Sequence, residues 1–207
     1  MLIHIGKCGG ASLRKAVLDS KKVKITGVVH TRKPYYFKGQ NYYIVVRDPV
    51  ARCISAFNWR YKIVVDDANQ RTRFKGEYES LIKYKSFNEL AEALYDDRGV
   101  LDKEASKDFE NIHHLRERIS FYLEDFLKIC NPNDIKDIFV QESLNEDIER
   151  ILGVSFDDKE RKNNNNSYEK KITDKAEINL KKYIIKDYEC LEYLNTLNKF
   201  KKYAIKY

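Results

Sequence analysis

The chain has 207 residues, with 39 Lys or Arg against 32 Asp or Glu and a net charge of +7. With 43% hydrophobic and 34% charged residues it reads as a soluble globular chain of one domain, which excludes a wholly disordered or collagen-like protein. A domain this long buries enough surface to fold without disulfides or metals. The four cysteines, Cys8, Cys53, Cys130 and Cys190, form no Cys-x-x-Cys pair, so they read as reduced thiols of a cytosolic protein. Apolar runs such as Ile44-Val45-Val46 fall far short of the ~20 residues that span a bilayer. Lys7 and a glycine pair interrupt the N-terminus before a signal-peptide core can form, so secretion is not expected. The charge is uneven. Residues 1–60 hold 12 Lys or Arg against Asp19 and Asp48 only, and the remainder holds 27 against 30 acidic residues. A basic N-terminal third suggests an anionic partner. Zinc-finger, RNA-recognition and basic-zipper patterns are missing, so nucleic acid is not the expected one.

Leu2-Ile3-His4-Ile5 predicts a short strand, residues 6–10 a glycine turn, and Ser12 onwards a helix with Leu13, Ala16 and Val17 on one face. Residues 24–29 are a second strand candidate. Tyr42-Tyr43-Ile44-Val45-Val46 is the strongest strand of the chain, apolar enough to be central in a sheet. It stops at Arg47-Asp48-Pro49, where Pro49 suits the first position of a helix and Asp48 its cap. Residues 62–115 are polar and helical, with Ser86-Phe87-Asn88-Glu89 resembling a capping box. Helix is expected from at least Leu123 to Ile129, strand at 137–140, and helix at 145–152 closed by Gly153. Four asparagines at 163–166 read as a loop, and Asp174 starts a long amphipathic helix through about Tyr188. Short strands alternating with helices predict an α/β fold with a mainly parallel sheet.

Two stretches carry chemistry. In Ile3-His4-Ile5-Gly6-Lys7-Cys8-Gly9-Gly10-Ala11-Ser12-Leu13, a strand feeds a glycine turn and then a helix N-terminus. Backbone N–H groups and the helix dipole then converge on one point, with the Lys7 ammonium and the Ser12 hydroxyl beside them, as an oxyanion requires. The order is not that of a Walker A loop, because Lys7 precedes Gly9 and Gly10. An ordinary tight turn would use the same glycines. In Val45-Val46-Arg47-Asp48-Pro49-Val50-Ala51-Arg52-Cys53-Ile54-Ser55, Arg47 ends a strand and Ser55 lies two helical turns on. A guanidinium fork and a hydroxyl at that spacing can share one phosphate.

In this order the two stretches resemble the PAPS-dependent sulfotransferases (PAPS is 3′-phosphoadenosine 5′-phosphosulfate), most nearly the carbohydrate branch of heparan sulfate 2-O and Golgi type. The resemblance covers residues 3–13 and 43–58, and more weakly 138–168. It implies a P-loop-like sulfotransferase fold over residues 1–207, with 60–115 as a helical insertion on the acceptor side. It also implies that Lys7, Cys8, Gly9, Gly10, Ala11, Ser12 and Leu13 hold the 5′-phosphosulfate, that Arg47 and Ser55 hold the 3′-phosphate, and that Arg161 and Lys162 close over the cofactor. The proline and first threonine of the family's turn are Gly6 and Ala11 here, which removes one hydroxyl contact.

The reaction so implied moves a sulfuryl group from PAPS to a hydroxyl of a carbohydrate or small molecule, releasing PAP. In-line displacement of this kind rests on positioning and electrostatics, as in phosphoryl transfer. Lys7 would neutralise the sulfuryl oxygens. A histidine suits the general base. His30, lying between the two cofactor stretches, is the first choice, and His4 reads as buried structure. His113, His114 and Trp59 are candidate acceptor contacts. His113 and His114, with Glu77 and Glu79, are alternative bases. No metal is expected, since the histidines and cysteines lack ligand spacing. Two other readings stay open: a nucleotide or nucleoside kinase of P-loop topology, and a non-catalytic module that binds PAP or nucleic acid.

Overall fold

The computed structural model describes residues 1–155 and 168–197, in two compact units. One unit comprises Met1–Asp48, Ile119–Lys162 and Lys186–Tyr207, and the other Pro49–Arg118 and Asn163–Ile185. The expected acceptor-side segment at 60–115 therefore falls within a longer helical unit that starts at Pro49. Among the described residues no helix is long and apolar enough to cross a membrane.

The first unit is α/β. Among the described residues its four strands are β1 (Leu2–His4), β2 (Val28–Val29), β3 (Tyr42–Val46) and β4 (Ile135–Val140). They form one sheet in the order β2-β1-β3-β4, with every pairing parallel. All five residues of β3 are buried, which is why its sequence is a continuous β-branched and aromatic run: a parallel strand covered on both faces has no solvent side to mark with polar residues. Leu13 and Ala16 of α1 (Gly10–Leu18) pack into this core, as do residues of α6 (Ile119–Ile129), α7 (Leu144–Leu152) and α9 (Ile185–Thr196). The strand expected at 24–29 is reduced to two residues. Val23 and Ile25 pack against the core outside the ladder, and Lys24 and Thr26 are exposed, so only the last two residues pair with β1. Gly153 closes α7 as expected, at φ 70°, and the Leu152 carbonyl accepts from the N–H groups of Lys21 and Lys22.

The second unit is helical: α2 (Pro49–Tyr61) running into a π-helical turn at Lys62–Asp66, then α3 (Glu77–Lys83), α4 (Phe87–Ala93), α5 (Lys103–Asn111) and α8 (Asp174–Tyr183). Pro49 is the first residue of α2, where its missing N–H costs nothing. Ser86 caps α4 by accepting from Glu89 N–H. The Glu89 carboxylate accepts from Lys85 N–H, one residue before the position a full capping box would use. The helix expected from Asp174 to about Tyr188 is interrupted at Ile184, whose ψ of 26° leaves the helical region before α9 starts. Leu180, Ile184 and Tyr188 are all buried, so the apolar period runs through the break and hides it.

Candidate functional site

Within the sheet-bearing unit, three neighbouring parallel strands each end in a residue of interest. The Lys7 turn follows β1, His30 follows β2 directly, and Arg47 follows β3 directly. The C-terminal edge of a parallel sheet is where open α/β folds place their ligands. Lys7 has φ 69° and Gly9 φ 80°, both left-handed, so the chain passes from β1 to α1 through a tight turn. The first turn of α1 holds no acidic residue, and Gly9 supplies no side-chain cap, so the positive end of the helix is not met by a cap of its own. Arg47 Nη1 donates to the Lys7 carbonyl at 3.1 Å, joining the two sequence stretches. Arg47 Nε is buried with no hydrogen-bond partner among the described residues, which therefore do not saturate this guanidinium.

The two glycines of the turn have different causes. Gly9 is required by its left-handed φ, and a Cβ there would also lie 2.8 Å from Leu144 Cδ2. At Gly10 a Cβ would lie 1.7 Å from His4 Nε2, so this glycine makes room for the His4 ring. Gly10→Ala is accordingly expected to destabilise the protein by about 1–3 kcal/mol, the usual cost of overpacking, read as a lower urea midpoint at unchanged slope. Cys8 is buried, with Sγ 3.9 Å from the Gly6 carbonyl. Ala11 is exposed and Ser12 half-buried. Leu13 is wholly buried in the core, and its N–H already donates to the Gly9 carbonyl at 3.2 Å.

His30 Nδ1 lies 2.9 Å from the carbonyl oxygen of His4. A carbonyl only accepts, so neutral His30 carries its proton on Nδ1 and its basic nitrogen is Nε2. The His4 and His30 rings stack at 4.2 Å with 13° between planes. His4 is 8% exposed. Burial, with smaller repulsion from His30 and Arg14, pushes its pKa from the ordinary 6.5 down to about 4. Between pH 6.5 and 4 the unfolded chain thus binds a proton at His4 that the native state refuses. The resulting stability is fully present above pH 6.5 and is lost as pH falls towards 4, on the order of 3 kcal/mol in all. Urea unfolding at pH 7.5 and pH 5, with the His4 ring signal followed by NMR, tests this. A His4 titration midpoint above 6 would refute it.

The remaining candidates lie in the helical unit or outside the described residues. Ser55 and Trp59 are half-buried on α2. His113 and His114 are each 9% exposed and sit with Glu117 so that three possible ligand atoms fall within 4.8 Å of one another. Glu117 Oε2 meets His113 Nε2 at 3.1 Å and accepts from His114 N–H at 3.0 Å, and its Oε1 accepts from Arg116 Nε. Burial pushes the His113 pKa down, Glu117 opposes the shift, and Arg60, Arg116 and Arg73 add to it. Surroundings this rich in arginine repel a dication, so the cluster suits an internal brace better than a metal centre. Arg52, fully buried, holds the same turn by donating to the carbonyls of His114 and Glu117. Glu77 is also fully buried. It accepts from Arg60 and from His113 N–H, which leaves it placed as structure rather than as a base.

A cavity of about 270 Å³ in this unit is walled by Phe57, Tyr61, Phe87 and Tyr168. Of its polar lining, Asn58 donates to the Glu169 carbonyl and Asn88 bonds Glu92 and Thr173, so these groups already serve the fold. Arg161 and Lys162 lie outside the described residues.

Sequence reasoning did not anticipate Arg52, Arg60 or Glu117. The i, i+4 spacing of His113 and Glu117 was the one signal available, and it reads as a helical pair although the segment is a turn. Comparison with protein-family models, with curated proteins and with solved structures finds no match to this chain.

Proposed function

We propose that the protein is a PAPS-dependent sulfotransferase of P-loop-like fold, acting on a hydroxyl of a carbohydrate or small molecule. The observation that carries this reading is the bond from Arg47 Nη1 to the Lys7 carbonyl, which joins the two sequence stretches that resemble the family at one edge of a parallel sheet. The uncapped N-terminus of α1 and the unsaturated Arg47 guanidinium fit an anion. PAPS supplies the sulfuryl group and carries away the electron pair of the broken S–O bond on its phosphate. Lys7 and the N–H groups of the turn would hold the 5′ side. Arg47 would hold the 3′-phosphate. His30 Nε2 takes the proton of the attacking hydroxyl, and the His4 carbonyl on Nδ1 stabilises the imidazolium that results.

The test is thermal stabilisation by PAP, with AMP and ATP–magnesium as controls. PAP at a hundredfold excess over its Kd adds about 2.7 kcal/mol to native stability, and AMP, lacking the 3′-phosphate, adds far less. Equal shifts with PAP and AMP would remove the role given to Arg47. A shift with ATP–magnesium alone would make the protein a nucleotide kinase instead.

A further inference from the structure

In the helical unit, Phe74 gathers more positive charge than the carboxylates around it neutralise. The guanidinium carbons of Arg60, Arg73 and Arg116 lie 5.3, 5.3 and 5.1 Å from the centroid of its ring. An aromatic face attracts cations and partly offsets their crowding. Two of the three meet on one atom: Arg60 Nη1 and Arg73 Nη1 both donate to Gln70 Oε1, at 2.9 and 3.2 Å. A neutral amide oxygen between two guanidinium groups cancels neither charge.

The carboxylates at hand, Glu77 and Glu117, are already committed. Glu77 meets Arg60 with both oxygens and also accepts from His113 N–H. Glu117 accepts from Arg116 Nε and His114 N–H and meets His113 Nε2. His113, stacked on Phe74 at 4.4 Å, brings no negative charge. Burial lowers the His113 pKa first; Glu117 opposes, and Arg60, Arg116 and Arg73 add to the fall, as surplus positive charge must. Arg73 is the cation left over. It is exposed, pairs with no carboxylate among the described residues and spends one nitrogen on Gln70. Arg116, half-buried, bonds through Nε alone among those residues, which leaves its outer fork open.

We propose that Arg73 and Arg116, set on the Phe74 ring, bind the phosphate or sulfate ester group of a small molecule. Guanidinium forks bond oxyanions two oxygens at a time. A tetrahedral ester offers three free oxygens to forks arriving from different directions, whereas a carboxylate offers two in one plane. The bound group supplies the negative charge that the ring's surroundings lack. The site lies wholly within the helical unit and rests on no part of the sulfotransferase reading.

The test titrates the full chain at pH 6.5 with inorganic phosphate, inorganic sulfate and sodium acetate, each against sodium chloride at equal ionic strength. Nitrogen-15 NMR of the arginine Nε–H groups reports each arginine by itself, so binding at Lys7 or Arg47 does not enter. Saturable shifts at Arg73 and Arg116 are expected with phosphate and sulfate, and acetate is expected to bind about tenfold more weakly. Arg73→Gln and Arg116→Gln should each weaken binding about 10–100-fold, read at the arginine that remains, the range for lost hydrogen bonds between charged groups. Arg73→Lys keeps the charge without the fork and should fall between wild type and Arg73→Gln. Lys107→Gln removes an equal charge from an exposed position on α5 and should cost less than about twofold. A lead of phosphate over sulfate assigns a phosphate ester, and the reverse a sulfate ester. Shifts that chloride reproduces would overturn the inference, because they report screening alone. A loss in Arg73→Gln no greater than in Lys107→Gln would overturn it too, and acetate binding as tightly as phosphate would overturn the choice of a tetrahedral ester.

Discussion

Glu77→Ala is expected to destabilise the protein by about 3–5 kcal/mol, the largest effect of any single substitution considered for stability. Arg60 and Glu77 form a two-pronged pair, Nε to Oε1 at 2.8 Å and Nη2 to Oε2 at 2.6 Å, with side chains only 2% and 0% exposed. Glu77 Oε1 also accepts from His113 N–H at 2.8 Å, and Arg60 Nη1 donates to Gln70. Removing the carboxylate therefore strands a buried guanidinium and a buried amide together. The double variant Arg60→Met with Glu77→Leu should recover much of the loss, because apolar side chains of similar volume need no partner. Removing Asp125, whose partner Lys33 is 56% exposed, should cost less than about 1 kcal/mol. Urea titrations of the three variants check this ordering. A Glu77→Ala midpoint close to wild type would mean that water reaches the pair.

On the proposed reading, Lys7→Ala should lower sulfuryl transfer by about 10²–10³-fold, the usual cost of removing one preorganised positive donor from a developing negative charge. The substitution is clean with respect to the backbone. Lys7 has φ 69°, and alanine carries the same Cβ, so the left-handed strain is equal in both proteins. Lys7→Gly extends the test. It relieves that strain and should stabilise the fold by up to about 1 kcal/mol while leaving the protein as inactive as the alanine variant. Lys7→Arg keeps the charge but not its compact shape, and should fall between wild type and Lys7→Ala. Kinetics and melting temperatures measured on the three variants separate charge from conformation. Wild-type turnover in Lys7→Ala would remove the ammonium from the reaction.

The elements legible in the sequence were those whose burial is one-sided or complete. β3 appears at its predicted limits because five consecutive buried positions allow only apolar residues. α1, α2 and α7 were marked by glycine or proline at a terminus, where backbone geometry restricts the residue type. The second strand was overextended, since Ile25 is apolar for packing that lies outside the ladder. The break at Ile184 was invisible because burial continues across it. In the candidate site, Lys7 and Arg47 could be read as a pair only through resemblance. What joins them is a side chain bonded to a backbone carbonyl 40 residues away, and a carbonyl has no sequence signature. The stacking of His4 on His30 was equally hidden, because it depends on β1 and β2 being neighbours in the sheet.

The register between β1 and β3 has a consequence for how this protein can change. Leu2 pairs with Tyr43, Ile3 with Ile44 and His4 with Val45. A slip of one residue would carry Arg47 about 3.3 Å along the strand and turn its side chain to the opposite face. The distance from guanidinium to lysine turn is thus measured out in apolar side chains that never meet a ligand. On the proposed reading, substitutions in Ile3, Ile44 or Val45 that loosen this alignment should blunt anion selectivity well before they unfold the chain. Loops beyond the strand ends can be exchanged without touching that spacing, so drift in what the protein accepts should accumulate there while the interior stays nearly fixed.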